Sequence, residues 1–333
     1  MSNVADDYLQ RQILTQRYMS ALTRKYSAQL IQMNDMVANM ITKAGSTRRL
    51  EEIRRDLEFA IGESLVKFNK DFTEDMEGLA EQELDFVSKT INANSKVLLQ
   101  VPNFDSIFEA IMKSPMDLDL TGSRLTLGQA LLEFSEGKAD EIRQVIFDGI
   151  VTGQTNRDMA NGIQDLSSLR SRAQVDALTR TLSNHTTAQT RKGFAEEYRN
   201  VFDGEEFLAT LDSRTTLECA GADGKIFPVG QGLYPPLHWG CRSLRVPVMK
   251  ASYDAQTNKS NREDFDSWLR DQPAGFQDEY FSGEKGMVRK ELFQKGDLKI
   301  EKFTDDSGRE YSLKELRMLY GESFKKADIT NFG

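Results

Sequence analysis

Proline is scarce in this chain, and cysteine and histidine are scarcer: 7, 2 and 2 among 333 residues. Few prolines leave long helices uninterrupted, because a proline inside a helix removes a hydrogen bond and clashes with the preceding turn. Two cysteines exclude a disulfide framework and fit synthesis in a reducing compartment. No apolar run approaches the roughly 18 residues that mark a membrane-spanning helix, so none is expected. The opening MSNVADDYLQRQILTQ lacks a basic start followed by an apolar block, so no secretory signal is expected either. A basic excess is also missing. The formal net charge of −9 argues against a nucleic-acid coat, while leaving room for a local basic patch. The sequence contains no GxxxxGK[ST], no GxGxxG after a strand, no HExxH and no GxSxG, which removes the common nucleotide-binding, metalloprotease and serine-hydrolase signatures.

What is present is helix-patterned. Leu9, Ile13, Leu22, Tyr26, Leu30, Met33, Val37 and Met40 recur at steps dominated by three and four, predicting one amphipathic helix over residues 5–44. Gly45 stops it, and Ser46 or Thr47 can cap the next. A second stripe runs through Leu50, Ile53, Leu57, Ile61, Leu65, Phe68, Phe72, Met76, Leu79, Leu84, Val87 and Ile91. Stripes this long must be covered, by each other in a helical hairpin hinged near Gly45 or by partners in a stalk or assembly. Leu30, Val37, Leu57 and Leu65 are the candidate partner contacts; packing of the two stripes on each other is the equal alternative.

Pro102 and Pro115 bound a short segment, DSIFEAIMK. Beyond it, LTLGQALLEFSEGKADEIRQVIFDGIVTGQTNRDMANGIQDL reads as three short helices, the third started by Thr155 or Asn156. Another helix is expected over 169–200, where Arg170, Arg172, Arg180, Arg191, Lys192 and Arg199 read as solvated faces. Short β-prone pieces follow at Glu206–Leu211, Lys225–Val229 and Arg242–Val248. A polar linker begins at Ala251, and a last helix is expected from Ser312. The fold class is α+β, predominantly α-helical. Long N-terminal helices (1–120) lead through a helical segment (121–200) to a small turn-rich, β-containing domain (201–250) and a helical C-terminal tail (251–333).

The turn-rich stretch from Thr210 to Val248 gathers both cysteines and one of the two histidines. His238 and Cys241 stand three apart, a spacing that zinc sites favour, and Cys219 adds a third soft ligand. Adding His185 would make a Cys2His2 set from every cysteine and histidine of the chain. The other readings are small buried thiols beside a hydrogen-bonded histidine, or a thiol nucleophile with His238 as base, for which no orienting acid is identifiable. Asp212, Arg214 and Thr215 look like local wiring, a short carboxylate among hydroxyls with an arginine able to pair with Asp212 or Asp223. Asp223-Gly224 is a hairpin-turn signal between two β-prone runs. Pro235 and Pro236 pre-order the approach to His238. The preferred reading is a polar network that fixes a small domain, with no catalytic residue.

The same residues resemble the domain of phage Mu F-like minor head proteins, also called phage head-morphogenesis proteins. The resemblance rests on Asp212-Ser213-Arg214-Thr215, Cys219, Asp223-Gly224-Lys225-Ile226-Phe227, Pro235-Pro236-Leu237-His238-Trp239-Gly240-Cys241-Arg242, and the closing Leu244–Val248. Flanking support comes from VIFDGIVTGQTNRDMANGI and from the segment beginning at Trp268, so the likeness extends over about Leu125 to Arg317. Two departures bear on zinc. Thr216-x-x-Cys219 replaces a Cys-x-x-Cys of many members, and Cys241-Arg242-Ser243 replaces the usual Cys-Arg-Cys.

The resemblance implies a low-copy structural protein of a tailed phage virion, at the portal vertex or inside the capsid. Its implied partners are the portal protein, the major capsid protein and, in some relatives, packaged double-stranded DNA. No cofactor is implied beyond the zinc already raised. The alternatives are a thiol- or zinc-dependent hydrolase centred on Cys219, His238 and Cys241, and an internal DNA-associated protein ejected with the genome.

Overall fold

The computed structural model describes residues 4–45, 47–118, 124–254, 262–282 and 284–330. Ser46 and most of the polar linker lie outside the described residues. Helix α1 (Val4–Ala44) buries Tyr8, Met19, Leu22, Tyr26, Leu30, Met33, Val37 and Ile41 along one face. Gly45, at φ 73°, takes the left-handed conformation that ends it. Helices α2 (Thr47–Glu52) and α3 (Arg54–Asn94) follow. Helical hydrogen bonding crosses their junction, with Ile53 N–H donating to Arg49 O (3.1 Å) and Leu57 N–H to Ile53 O (3.0 Å).

The helices α1 and α3 run antiparallel, as the pairs Arg11–Glu83, Lys25–Asp75 and Gln29–Asp71 show. Tyr26 packs against Phe68 and Phe72, with ring centroids 5.0 and 4.6 Å away. The hairpin hinged at Gly45 is therefore as anticipated. The partner-contact candidates are corrected: Leu30, Val37, Leu57 and Leu65 are all buried within this chain. The stripes are covered by each other and by three further helices.

Those helices are α5 (Leu127–Val151), α6 (Asn156–Asp165) and α7 (Leu169–Glu197). The three short helices expected before Leu166 are two. Thr126 and Gln129 form a capping box, and α5 continues past Gly137 without a break. A mid-helix glycine costs only about 1 kcal/mol, and burial of Leu127, Leu131 and Ile142 offsets it. Thr155 caps α6 as expected, with Asp158 completing the box. A side chain at Gly149 would collide with Met159 Cγ at 2.2 Å, so α5 and α6 touch there. Helix α4 (Phe104–Lys113) packs on α7, with Ile107 3.2 Å from where a Cβ on Gly193 would stand.

A two-stranded pair, β1 (Met116–Asp117) and β2 (Arg124–Leu125), precedes α5. The main sheet has β3 (Phe202–Leu208) at its centre, antiparallel to both β4 (Ile226–Phe227) and β5 (Leu244–Met249). The short helix α8 (Leu217–Ala222) lies between β3 and β4. It corrects the expected hairpin: Asp223 and Gly224 follow that helix and do not join two strands directly.

One hydrophobic core draws residues from Val4 to Met249, across all three of the first segments. A second gathers Phe265, Leu269, Phe281, Leu292, Phe293, Ile300, Phe303, Leu316 and Phe324 from the C-terminal helices α9 (Phe265–Asp271), α10 (Ala274–Tyr280), α11 (Glu284–Gln294), α12 (Leu313–Leu319) and α13 (Gly321–Lys326) and a 3-10 turn at Ile300–Phe303. The helix expected from Ser312 is capped by that residue with Glu315. A third, small core of Phe207, Ala209, Cys219, Ala222, Leu237 and Cys241 lies under the turn-rich segment. Predominantly helical α+β is the architecture observed.

Candidate metal centre and its polar frame

The turn-rich segment is held from three sides. From α7, Thr181 Oγ1 accepts from Gly240 N–H (2.8 Å), while Asn184 Nδ2 donates to the carbonyls of Cys241 (2.9 Å) and Ser243 (3.2 Å). From α1, Gln12 Nε2 donates to the Arg242 carbonyl at 3.0 Å. From within, Arg242 clamps Asp212 with both terminal nitrogens, Nη2 lying 2.8 Å from Oδ1. Burial opposes ionisation of Asp212, yet the hydrogen bonds and charge of Arg242 hold its carboxyl below the usual range. Asp212 Oδ1 also accepts from Arg214 N–H at 3.0 Å and Thr215 Oγ1 at 3.3 Å. The wiring expected of Asp212 and Thr215 is thus in place, but the arginine that clamps Asp212 is Arg242 and not the expected Arg214. Arg214 reaches Asp212 at 3.5 Å but is largely exposed, so that pair contributes little.

Asp223 joins the segment to the C-terminal helices. Its Oδ1 accepts from Ala209 N–H (2.7 Å), its Oδ2 from Phe265 N–H (2.8 Å), and Arg262 pairs with it. Gly224, at φ 74°, donates its N–H to Phe207 O at 2.8 Å. Pro235 and Pro236 are joined by a cis peptide and both are buried.

A second buried ion pair is not legible in the sequence. Arg245 and Glu205, each 1% exposed, face each other at 3.4 Å. Arg245 lies 4.2 Å from the Tyr234 ring centroid and 4.8 Å from that of Phe227, and Nη1 donates to the carbonyls of Gln231 and Leu233. Glu205 accepts from Gly230 N–H at 3.0 Å and from the Tyr234 hydroxyl. The periodic signal here is a β-prone run; nothing in it announces charge beneath the sheet.

Inside this frame Cys219, His238 and Cys241 meet. The two sulfurs are buried and 3.7 Å apart, and Cys219 Sγ lies 3.4 Å from His238 Nε2. All three ligand atoms fall within 4.8 Å of one another. His185 does not join them. It is buried in the middle of α7, with Nε2 3.1 Å from the Ile111 carbonyl. Burial disfavours charge on His238, but its hydrogen bond and attraction to Cys241 outweigh that and lift it to about 9. Cys241 moves the other way. Burial raises it, while hydrogen bonds from Cys219 and His238 prevail and hold the thiol well below its ordinary value. Cys219, the donor in that pair, is pushed well up. A thiolate beside an imidazolium has the makings of a nucleophile, but His238 Nδ1 is tied to the Trp239 carbonyl at 3.0 Å, where a triad would place a carboxylate.

Beside this cluster a cleft of about 470 Å³ opens between α1, α7 and the turn-rich segment. Leu9, Ile13, Leu211 and Leu244 form its apolar wall; Arg17, Arg180, Arg214, Arg242 and Arg262 also line it. Arg180, Arg242 and Arg262 are paired with Asp176, Asp212 and Asp223.

Residues 140–245 match the family model described as Phage Mu protein F like protein. The chain therefore carries a region similar to Mu F-like phage head proteins, as its motifs anticipate. The matched span runs from within α5 to the start of β5 and holds every residue of the cluster and its Asp212–Arg242 clamp. It is shorter than the likeness expected over Leu125–Arg317 and leaves out the Trp268 segment. No curated protein and no solved structure matches the chain.

Proposed function

We propose that this chain is a minor head protein of a tailed bacteriophage, docking on the portal or major capsid protein during head assembly, resident in the virion and without turnover of its own. The family match over 140–245 carries this reading. The frame supports it, since its polar groups bind each other and the backbone and hold a shape. Among the described residues no helix is long and apolar enough to cross a membrane.

With the two N-terminal stripes covered, docking falls to another face. Phe147, Ile150 and Val151 are 62%, 37% and 67% exposed and stand at i, i+3 and i+4 on the last turns of α5, within the matched span. Mass spectrometry of finished virions and empty precursors is expected to find this polypeptide in both; its absence from both overturns the reading. Phe147→Ser with Val151→Ser is expected to lower its incorporation about tenfold, equivalent to about 1.4 kcal/mol of docking energy. The melting temperature should barely move, because both side chains are exposed.

Contact with packaged duplex DNA is the second reading; the cleft is where arginines gather, and Arg180, Arg214, Arg242 and Arg262 there already face carboxylates. It requires binding that weakens steeply between about 50 and 200 mM salt. A flat salt response with full particle incorporation leaves the docking reading alone.

A further inference from the structure

We propose that Cys219, His238 and Cys241 bind one zinc(II) ion through two thiolates and an imidazole, with the fourth position open to water or to a partner's side chain. The spacing of the three ligand atoms carries the inference. With Zn–S near 2.3 Å and Zn–N near 2.0–2.1 Å at tetrahedral angles, two sulfurs stand about 3.8 Å apart and a sulfur and a nitrogen about 3.5 Å apart. The observed separations are 3.7 Å between the sulfurs and 3.4 Å from Cys219 Sγ to His238 Nε2. The third pair also lies within 4.8 Å. A dithiol merely packed in a core has no reason to place an imidazole nitrogen at that distance as well.

The tautomer of His238 agrees. Trp239 O, 3.0 Å from Nδ1, can only accept a hydrogen bond, so the ring proton sits on Nδ1. Nε2 faces the sulfurs, and its lone pair becomes available to a metal when the imidazolium gives up its second proton on binding. A backbone carbonyl on the far nitrogen is the usual partner of a metal-bound histidine, fixing ring orientation and raising basicity.

The ligands also sit on anchored structure. Cys219 lies in α8, and the His238–Cys241 turn is tied to α7 through Thr181 and Asn184. Two soft sulfurs with an imidazole select zinc over magnesium or calcium, which take oxygen ligands. The described residues bring three such ligands together, the two sulfurs buried and His238 half-buried.

The test is metal content of the full chain, purified under reducing conditions after zinc loading and desalting. One equivalent of zinc is expected. Cobalt(II) in its place should give the visible d–d and sulfur charge-transfer bands of a tetrahedral thiolate centre. Cys241→Ser and His238→Gln should each lower zinc retention at least about tenfold, since even outer-shell partners matter by that much. A variant that fails to fold is replaced by the wild type treated with chelator, whose two thiols should become reactive to a thiol reagent only as zinc leaves. Zinc well below stoichiometric, zinc kept by a Cys219→Ser/Cys241→Ser double variant, or a Cys219–Cys241 disulfide in the reduced preparation each overturns the assignment. None of these readouts depends on particle incorporation, so they stand apart from the docking reading.

Discussion

Replacing Glu83 by alanine is expected to cost the fold about 3–5 kcal/mol, the penalty for stranding a buried charge. Glu83 is fully buried on α3 and faces two arginines. Arg191 of α7 reaches Oε1 at 2.7 Å, and Arg11 of α1 reaches Oε2 at 2.9 Å. Arg191 is only 3% exposed and lies 5.0 Å over the ring of Tyr8. It has no route to water once the carboxylate is gone, whereas Arg11 is partly exposed and can turn outward. The expected result is therefore asymmetric. Arg11→Ala should cost far less than Glu83→Ala or Arg191→Ala. Glu83→Leu with Arg191→Met removes both buried charges and should cost well under the sum of the single changes, because a well-packed apolar pair replaces an ion pair whose desolvation was never cheap. Urea unfolding with unchanged slopes would measure all four. Equal losses for Arg11→Ala and Arg191→Ala, or strict additivity in the double variant, would show that the charges act independently. Because Glu83 fastens the α1–α3 hairpin to the helix bearing Thr181 and Asn184, the same change should also loosen the turn that carries Cys241.

The contrast between what patterning discloses and what it misses has a physical basis. The long helices are legible because Leu22, Tyr26, Leu30, Leu57, Ile61 and Leu65 repeat at helical spacing, and period is a local property. The Thr155 and Ser312 caps are legible for the same reason, since a capping box is written within four residues. The stretch read as three short helices holds two, because α5 carries Gly137 through its interior and only packing decides whether a glycine ends a helix or is tolerated. Arg191 reads as solvated because arginine usually is. Its partner Glu83 is 108 positions away, and no local pattern connects them. Glu205 and Arg245 are hidden in the same manner beneath a β-prone run. At the centre, the three soft ligands stand out by rarity alone, while their anchors Thr181, Asn184 and Gln12 lie on helices whose polar residues look like any other. His185 is drawn toward the cluster only because it completes a count of ligands.

That misplaced histidine supplies the second large effect, a loss of stability in acid. Burial in the middle of α7 pushes His185 down to about 4, with nearby Lys192 acting in the same direction and the hydrogen bond to Ile111 only partly opposing it. In the unfolded chain its pKa is near 6.5. The folded state therefore binds the proton less readily, and the contribution of His185 is complete above about pH 6.5. As pH falls from there toward 4 the unfolded state gains protons first, and stability drops; below about 4 the loss levels off. A tenfold change in proton affinity is worth about 1.4 kcal/mol, so the full difference between folded and unfolded chains is on the order of 3 kcal/mol. His185→Gln keeps a donor for the Ile111 carbonyl and has nothing to titrate. Measured by urea unfolding from pH 7 to 4, the gap between wild type and His185→Gln should move in favour of the variant by about that amount, and other titrating groups cancel in the comparison. A gap that stays constant with pH would mean that His185 either reaches water in the folded protein or is already charged there.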